Sequence, residues 1–442
     1  MKYKIHTLKN GLRVVLAPQP EAVTTTVMVL TGTGSRHENG QNNGVSHFLE
    51  HMLFKGTTKR PTAKVLAEEL DGMGSEHNAF TSKDHTAYYA KVSSEHVPQA
   101  LDIISDIFLN AKIDARELNK ERGAIIEEIN MYEDLPMRSI HDEFETLMFG
   151  ADTPLGRTIL GPKENIKKLK RKDLQDYIKQ NYTPDNTVVC VAGKFVQSTV
   201  LKEAKKHFIK KLSTPRTKFR GQTPYQTLKQ GFDVEQGEAK VAIKYKDTDQ
   251  THLVLGVPAY ERGHKDEYVL HILNTILGGG MSSRLWSEVR EKRGLAYYVG
   301  SSVQLYSDTG YIAARAGVTH ANLEKAIKII LKEMMKLKTN PPSAHSGGGG
   351  VEAAELKKAK SQLKGNLALA LDTSDAVANY LAASTVLRGG VTLPNEISKK
   401  IDKVKASDIQ RVAREIFATS KLNLAVVGPH KNEKELLNLL KV

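Results

Sequence analysis

A chain that repeats itself must solve the same folding problem twice, and this one does. The stretch LKRKDLQDYIKQNYTPDNTVVCVAG (169–193) aligns without gaps on VKASDIQRVAREIFATSKLNLAVVG (404–428). Asp173 meets Asp408, Gly193 meets Gly428, and both copies read as a helix followed by a buried strand. Upstream, TTVMVLTG pairs with THLVLGVP, and HFLEHMLFKG pairs with LHILNTILGG. A chain of 442 residues is too long for one core. Two homologous domains are therefore expected, over 1–218 and 231–442, joined by the polar stretch STPRTKFRGQTPYQTLKQ (213–230). Strands and helices alternate irregularly, and period-two runs such as HTAYYAKVS read as half-exposed strands. Each domain is thus expected to be α+β, a mainly antiparallel sheet packed against helices. The segment NPPSAHSGGGGVEAAE (340–355) lies between two helical patterns and reads as a loop.

The formal charge is +14, which invites acidic partners. The excess is spread over lysine-rich helical faces such as IKKLKRKDLQ and LKKAKSQLKG, with no nucleic-acid-binding motif beside it. No nucleic-acid role is expected. The single cysteine, Cys190, sits in the apolar run TVVCVAG, so an intrachain disulfide is excluded and a buried strand position is expected. The start, MKYKIHTLKNGLRVVL, has no apolar core of a leader peptide. No run approaches the roughly 18 apolar residues of a membrane span. A cytoplasmic protein without a membrane partner is expected.

One short run carries chemistry. In GVSHFLEHMLFKGT (44–57), Val45, Phe48, Leu49, Met52 and Leu53 form one apolar stripe at helical spacing. At about 100° per residue, His47, Glu50 and His51 fall together on the other side. That side either faces water or holds a metal. Histidines at i and i+4 reach one zinc ion, and a glutamate in the same turn can take a proton from a water that the metal acidifies to a pKa of about 7. The spacing H-x-x-E-H is the inverzincin signature.

A catalytic zinc needs a third protein ligand. In ARELNKERGAIIEEINMYED (115–134), an apolar stripe runs through Leu118, Ile125, Ile129 and Tyr132. Glu121 and Glu128 lie beside that stripe, and Glu127 points away. A carboxylate beside a core-facing stripe needs a partner. A metal would account for Glu128 and a hydrogen-bonded supporting role for Glu121. The alternative is a buried ion pair to Arg122 or Arg138.

HFLEH followed by Glu128 in ERGAIIEE resembles the pitrilysin/insulinase metallopeptidases, in particular the bacterial members similar to mitochondrial processing peptidase. The likeness runs through LKNGLRVVL, GSEHNAFTSKDHTAYYAKV and LGGGMSSRLWSEVREKRGLAYYVGS. It implies zinc on His47, His51 and Glu128, Glu50 as general base, and a supporting Glu121. It also implies that Arg290 and Tyr297, in REKRGLAYYVGS, hold the substrate backbone and its oxyanion. In the second copy, Leu270, Leu273 and Asn274 stand where His47, Glu50 and His51 stand, and Asn366 falls near Glu128. One zinc per chain follows.

GSEHNAFTSKDHTAYYAKV (74–92) has turn residues followed by a plausible edge strand, to which an extended peptide could add by main-chain hydrogen bonds. The resemblance places Asn78, Ala79 and Phe80 in that role. His77 and His85 are expected to be surface residues and not further ligands. LGGGMSSRL lacks the G-K-[ST] ending of a phosphate loop, so close backbone packing or a mobile turn is expected.

The function expected is a zinc endopeptidase acting on short or unfolded polypeptides. The alternatives are a peptidase that removes specific leader segments and a non-catalytic assembly subunit. Longer relatives enclose substrate with four such domains, which implies a homodimer here, a heterodimer with a related chain being the variant.

Overall fold

The computed structural model describes residues 1–209, 212, 236–341 and 349–441. The joining stretch 213–230 and residues 342–348 of the glycine-rich segment lie outside the described residues.

The repeat is visible as two sheets of matching topology. In the first, the order is β1 (Lys4–Thr7), β2 (Arg13–Pro18), β6 (Thr187–Gly193), β3 (Thr24–Thr31), β5 (Thr86–Ser93), β4 (Glu76–Thr81). Only β2 and β6 run parallel. In the second, the order is β7 (Lys240–Tyr245), β11 (Asn423–Gly428), β8 (Thr251–Ala259), β10 (Gly310–Val318), β9 (Ala296–Leu305). Again one pair, β7 with β11, is parallel. The α+β reading holds, with β1 as the first sheet's addition.

The aligned helices are Arg171–Asn181 and Ala406–Ile416. Each begins with the same device. The Lys170 amide donates to Asp173 Oδ2 at 2.8 Å, and the Lys405 amide donates to Asp408 Oδ2 at 2.8 Å. The Asp173/Asp408 match thus marks a shared helix start, where a carboxylate also suits the helix dipole. Cys190 is buried in β6, which runs through the centre of its sheet.

The chain forms two compact units that do not follow its linear order. Among the described residues, the first comprises 1–130, 157–209, 212 and 369–393, and the second comprises 131–156, 236–341, 349–368 and 394–441. Each unit therefore takes a helix from the opposite half of the chain. Ser374–Leu387 covers the second face of the first sheet, burying Val377, Ala378 and Leu381 against Val15, Met28 and Cys190. Pro136–Phe149 does the same for the second sheet, with Ile140, Phe144 and Met148 against Val254, Tyr311 and Val427. The Ser374–Leu387 helix buries Ala87 of β5, yet from Tyr88 to Ser93 the strand keeps the expected alternation: Tyr88, Ala90 and Val92 join the main core, Tyr89 and Lys91 are half-buried and Ser93 is exposed. The inner strand β6, buried at every position, shows the loss of alternation that coverage on both faces brings.

The helix Val45–Leu53 enters at Gly44, whose φ of 102° is left-handed and where a Cβ would lie 2.7 Å from the Leu160 carbonyl oxygen. Its start is held by Glu38. Oε2 accepts from the Gly44 amide at 2.8 Å, and Oε1 accepts from the Ser46 amide at 2.7 Å. The stripe Val45, Phe48, Leu49, Met52 and Leu53 is fully buried in the main core, the helix lying beside β4 and β5. Each such side chain is worth about 1.5–3 kcal/mol relative to exposure, enough to fix which way the opposite side points. No described helix is long and apolar enough to cross a membrane.

Candidate metal centre

The two histidines and one glutamate meet at a point. His47 Nε2 and His51 Nε2 lie 3.3 Å apart, and Glu128 Oε2 is 3.4 Å from each. Ligand atoms set tetrahedrally at 2.0–2.1 Å from zinc are separated by about 3.3–3.4 Å, so the triangle has the size zinc requires. Among the described residues, this is the one group of three or more His, Cys, Asp or Glu side chains with ligand atoms within 4.8 Å of each other.

Charge agrees with geometry. Burial and the neighbouring His51 push the His47 pKa down to about 4, against the pull of Glu128. Burial also opposes charge on His51, but hydrogen bonds to Glu121 and Glu128 carry its pKa up to about 9. Glu128 sits below the usual carboxylate range, chiefly through His51 and against its own burial. The cluster draws in one positive charge, and a cation can take the place of the proton. Among the described residues, His47 Nδ1 has no hydrogen-bond partner, and the ring's polar contacts face the cluster.

Glu121 does not join the triangle. Its Oε1 lies 3.1 Å from His51 Nδ1 and its Oε2 lies 2.6 Å from Lys55 Nζ. Burial would raise its pKa, but His51 and Lys55 together hold it below the usual range. An ionised carboxylate there fixes the His51 tautomer that presents Nε2 to the cluster. The arginine alternatives do not occur. Arg122 donates to the backbone carbonyl oxygens of Ile166 and Leu169, and Arg138 donates to the Tyr132 hydroxyl. Glu127 is exposed, as its helical position requires, and accepts from Asn130 Nδ2 at 3.3 Å.

Glu50 neighbours the cluster and is half-buried, which raises its pKa; the Thr81 hydroxyl opposes this, donating to Glu50 Oε2 at 2.6 Å. A carboxylate of raised pKa is a better proton acceptor near neutrality. Asn78, Ala79 and Phe80 lie on β4, at the edge of the first sheet, with Asn78 opposite Tyr89. His77 Nδ1 lies 3.1 Å from Ser75 Oγ and His85 Nδ1 lies 2.9 Å from Ser82 Oγ, so both are engaged outside the cluster.

Two contacts escaped the sequence. Lys55 follows His51 by four residues, a helical spacing that could have drawn attention to it. Thr81 had no such signal, because its contact joins a helix to a strand 31 residues away.

Arg290 and Tyr297 belong to the second unit. The Arg290 guanidinium stacks 4.2 Å over the Trp286 ring and lies 5.9 Å from the Tyr297 ring centre, and Tyr297 is 73% exposed. They form one patch, exposed at Tyr297 and half-buried at Arg290 and Trp286. In the same unit, the helix Glu267–Gly278 buries both Leu270 and Leu273. It ends in close packing at the glycine-rich run, where a Cβ on Gly278 would meet the Ser301 amide nitrogen at 2.4 Å.

Comparison with known proteins gives these features a common setting. The sequence pattern of Insulinase (Peptidase family M16) matches residues 13–163, and that of the Peptidase M16 inactive domain matches residues 168–363. The chain belongs to peptidase family M16. An uncharacterized zinc protease of Bacillus subtilis is 35% identical over 429 residues, 97% of this chain and 99% of that protein. Another from Streptomyces coelicolor is 33% identical over 428 residues, 97% of this chain and 90% of that protein. A protease from Helicobacter pylori has a crystal structure with a TM-score of 0.88 at 27% identity, covering 97% of this chain and 99% of that one. A chain of Complex III2 from Candida albicans shares the fold, with a TM-score of 0.80 at 19% identity over 99% of both chains.

Proposed function

We propose that this chain is a zinc endopeptidase hydrolysing short or unfolded polypeptides. The observation that carries the reading is the triangle of His47, His51 and Glu128 with Glu50 beside it. Relatives named zinc proteases support it. A bound zinc ion would supply Lewis acidity, acidifying a water and polarising the peptide carbonyl. His47, His51 and Glu128 would hold the ion, while Glu121, paired with Lys55, keeps His51 oriented. Glu50 takes the proton of the attacking water and passes it to the leaving amine. The peptide adds to β4 along Asn78, Ala79 and Phe80, through main-chain hydrogen bonds that demand little of its sequence.

Arg290 and Tyr297 complete the reaction in this proposal by holding the substrate backbone and its oxyanion. A homodimer would bring the pair on one chain to the zinc of the other. Mixing Glu50→Gln with Tyr297→Phe chains tests this, since heterodimers would retain one intact site.

The deciding experiment is mass-spectrometric mapping of cuts in a peptide library, with and without a chelator. Many chelator-sensitive cuts support the proposal. A single cleavage motif favours leader processing, and no cuts by the zinc-loaded protein favour an assembly subunit.

A further inference from the structure

The contact between Glu50 and Thr81 joins two elements that are fixed independently of it. Thr81 ends β4 and pairs with Thr86 across a tight hairpin, in which the Ser82 amide donates to the His85 carbonyl oxygen at 2.8 Å. That hairpin is clamped to the loop 34–38. The amides of Ser35 and Arg36 donate to the carbonyl oxygens of Ser82 and Lys83, each at 3.1 Å. Arg36 also pairs with Asp84 at 3.1 Å, both side chains being almost fully buried.

The same loop ends in Glu38, which holds the start of the Val45–Leu53 helix through the Gly44 and Ser46 amides. One loop therefore fixes both the strand that carries Thr81 and the helix that carries Glu50. The hydroxyl donates at 2.6 Å to Glu50 Oε2, and with the Thr81 backbone contact to the same carboxylate it restrains that group's rotation.

We propose that Thr81 is the positioning residue of the base: its hydroxyl, mounted on the clamped hairpin, holds the Glu50 carboxylate in the orientation that receives the proton of the attacking water. This rests on the peptidase reading above. Proton transfer depends on a carboxylate held within hydrogen-bond reach, and small misplacements of a reacting group are costly. Because the hairpin is held by the loop and not by a bound peptide, the effect should not depend on peptide length.

The test compares zinc-loaded wild-type, Thr81→Val, Thr81→Ala and Thr81→Ser proteins. Thr81→Val, which removes the hydroxyl and keeps the shape, should lower kcat roughly ten- to a hundred-fold. KM, zinc content and Tm should stay close to wild type, with the same loss for short and long peptides. Thr81→Ser, which keeps the hydroxyl, should restore most of kcat. Crystal structures supply a readout free of activity: Glu50 should leave its wild-type rotamer in Thr81→Val and keep it in Thr81→Ser.

Wild-type kcat in Thr81→Val, or an unmoved Glu50 in its crystal structure, would overturn the proposal. A rise in KM at constant kcat would make Thr81 a peptide contact instead. Loss of fold or zinc in both Thr81→Val and Thr81→Ala would reduce it to a structural residue. A wild-type protein that binds zinc but cuts nothing would defeat the peptidase reading, and the Glu50 rotamers would still decide the role of Thr81.

Discussion

Two helices at matched places in the repeat have gone opposite ways. Val45–Leu53 keeps one apolar stripe and leaves its other side to His47, Glu50 and His51. Glu267–Gly278 buries leucines at the first two of those places, and both Leu270 and Leu273 have no exposure at all. The first helix gives up part of its core to gather charge around one point. The second spends the same positions on packing. A shared fold therefore specifies where a site can stand, and only the side chains decide whether one does.

The widest separation between the two is expected at Glu50 and its counterpart. Glu50→Gln should lower kcat by about 10²–10⁴ with zinc retained, because an amide cannot accept the proton. Steady-state kinetics beside metal analysis check this, and a metal-free Glu50→Gln protein of normal fold would remove the assigned role. Leu273→Ala should leave the zinc in place and instead cost about 2–5 kcal/mol of stability, read by urea unfolding. If Leu273→Ala proved neutral, the second helix would not be the packing element described.

Much of this contrast could be read from the residues alone. The repeat, the apolar stripe and the H-x-x-E-H spacing are local patterns, and a helical register separates Glu128 from Glu127 without any structure. The coverage of each sheet's second face could not be read in this way. The helices that do it, Pro136–Phe149 and Ser374–Leu387, come from the opposite half of the chain, so nothing adjoining the strands in sequence announces them. Linear domain bounds miss the exchange for the same reason. Thr81 was missed because a strand-to-helix contact leaves no periodic trace, whereas Glu121 supports His51 as expected and has Lys55, not an arginine, as its cationic partner.

A smaller effect would sharpen the account of the first unit. Glu121→Gln should weaken zinc binding about 10–100-fold without abolishing it, since the amide orients His51 less firmly. Competition with a graded chelator measures this, and unchanged affinity would strip Glu121 of its supporting role.

The smallest effect belongs to the second unit, where charges serve the surface. Lys292 and Arg293 hold the Glu288 carboxylate down to about 2. An acid whose pKa is lower folded than unfolded stabilises above its ordinary value near 4.5, and that contribution fades as pH falls toward 2. Glu288→Gln should therefore cost less than about 1 kcal/mol at neutral pH and progressively less in acid. Urea midpoints for both proteins across that range test the sign. A difference that grew on acidification would reverse it.

The central claim is that one metal per chain sits among His47, His51 and Glu128. Metal content after exhaustive dialysis, measured for wild type, Glu127→Gln and Glu128→Gln, addresses it most directly. Wild type and Glu127→Gln should each retain one zinc per chain, and Glu128→Gln should retain far less, its fold intact by circular dichroism. Equal loss from the two glutamine variants, or full retention by Glu128→Gln, would contradict the account.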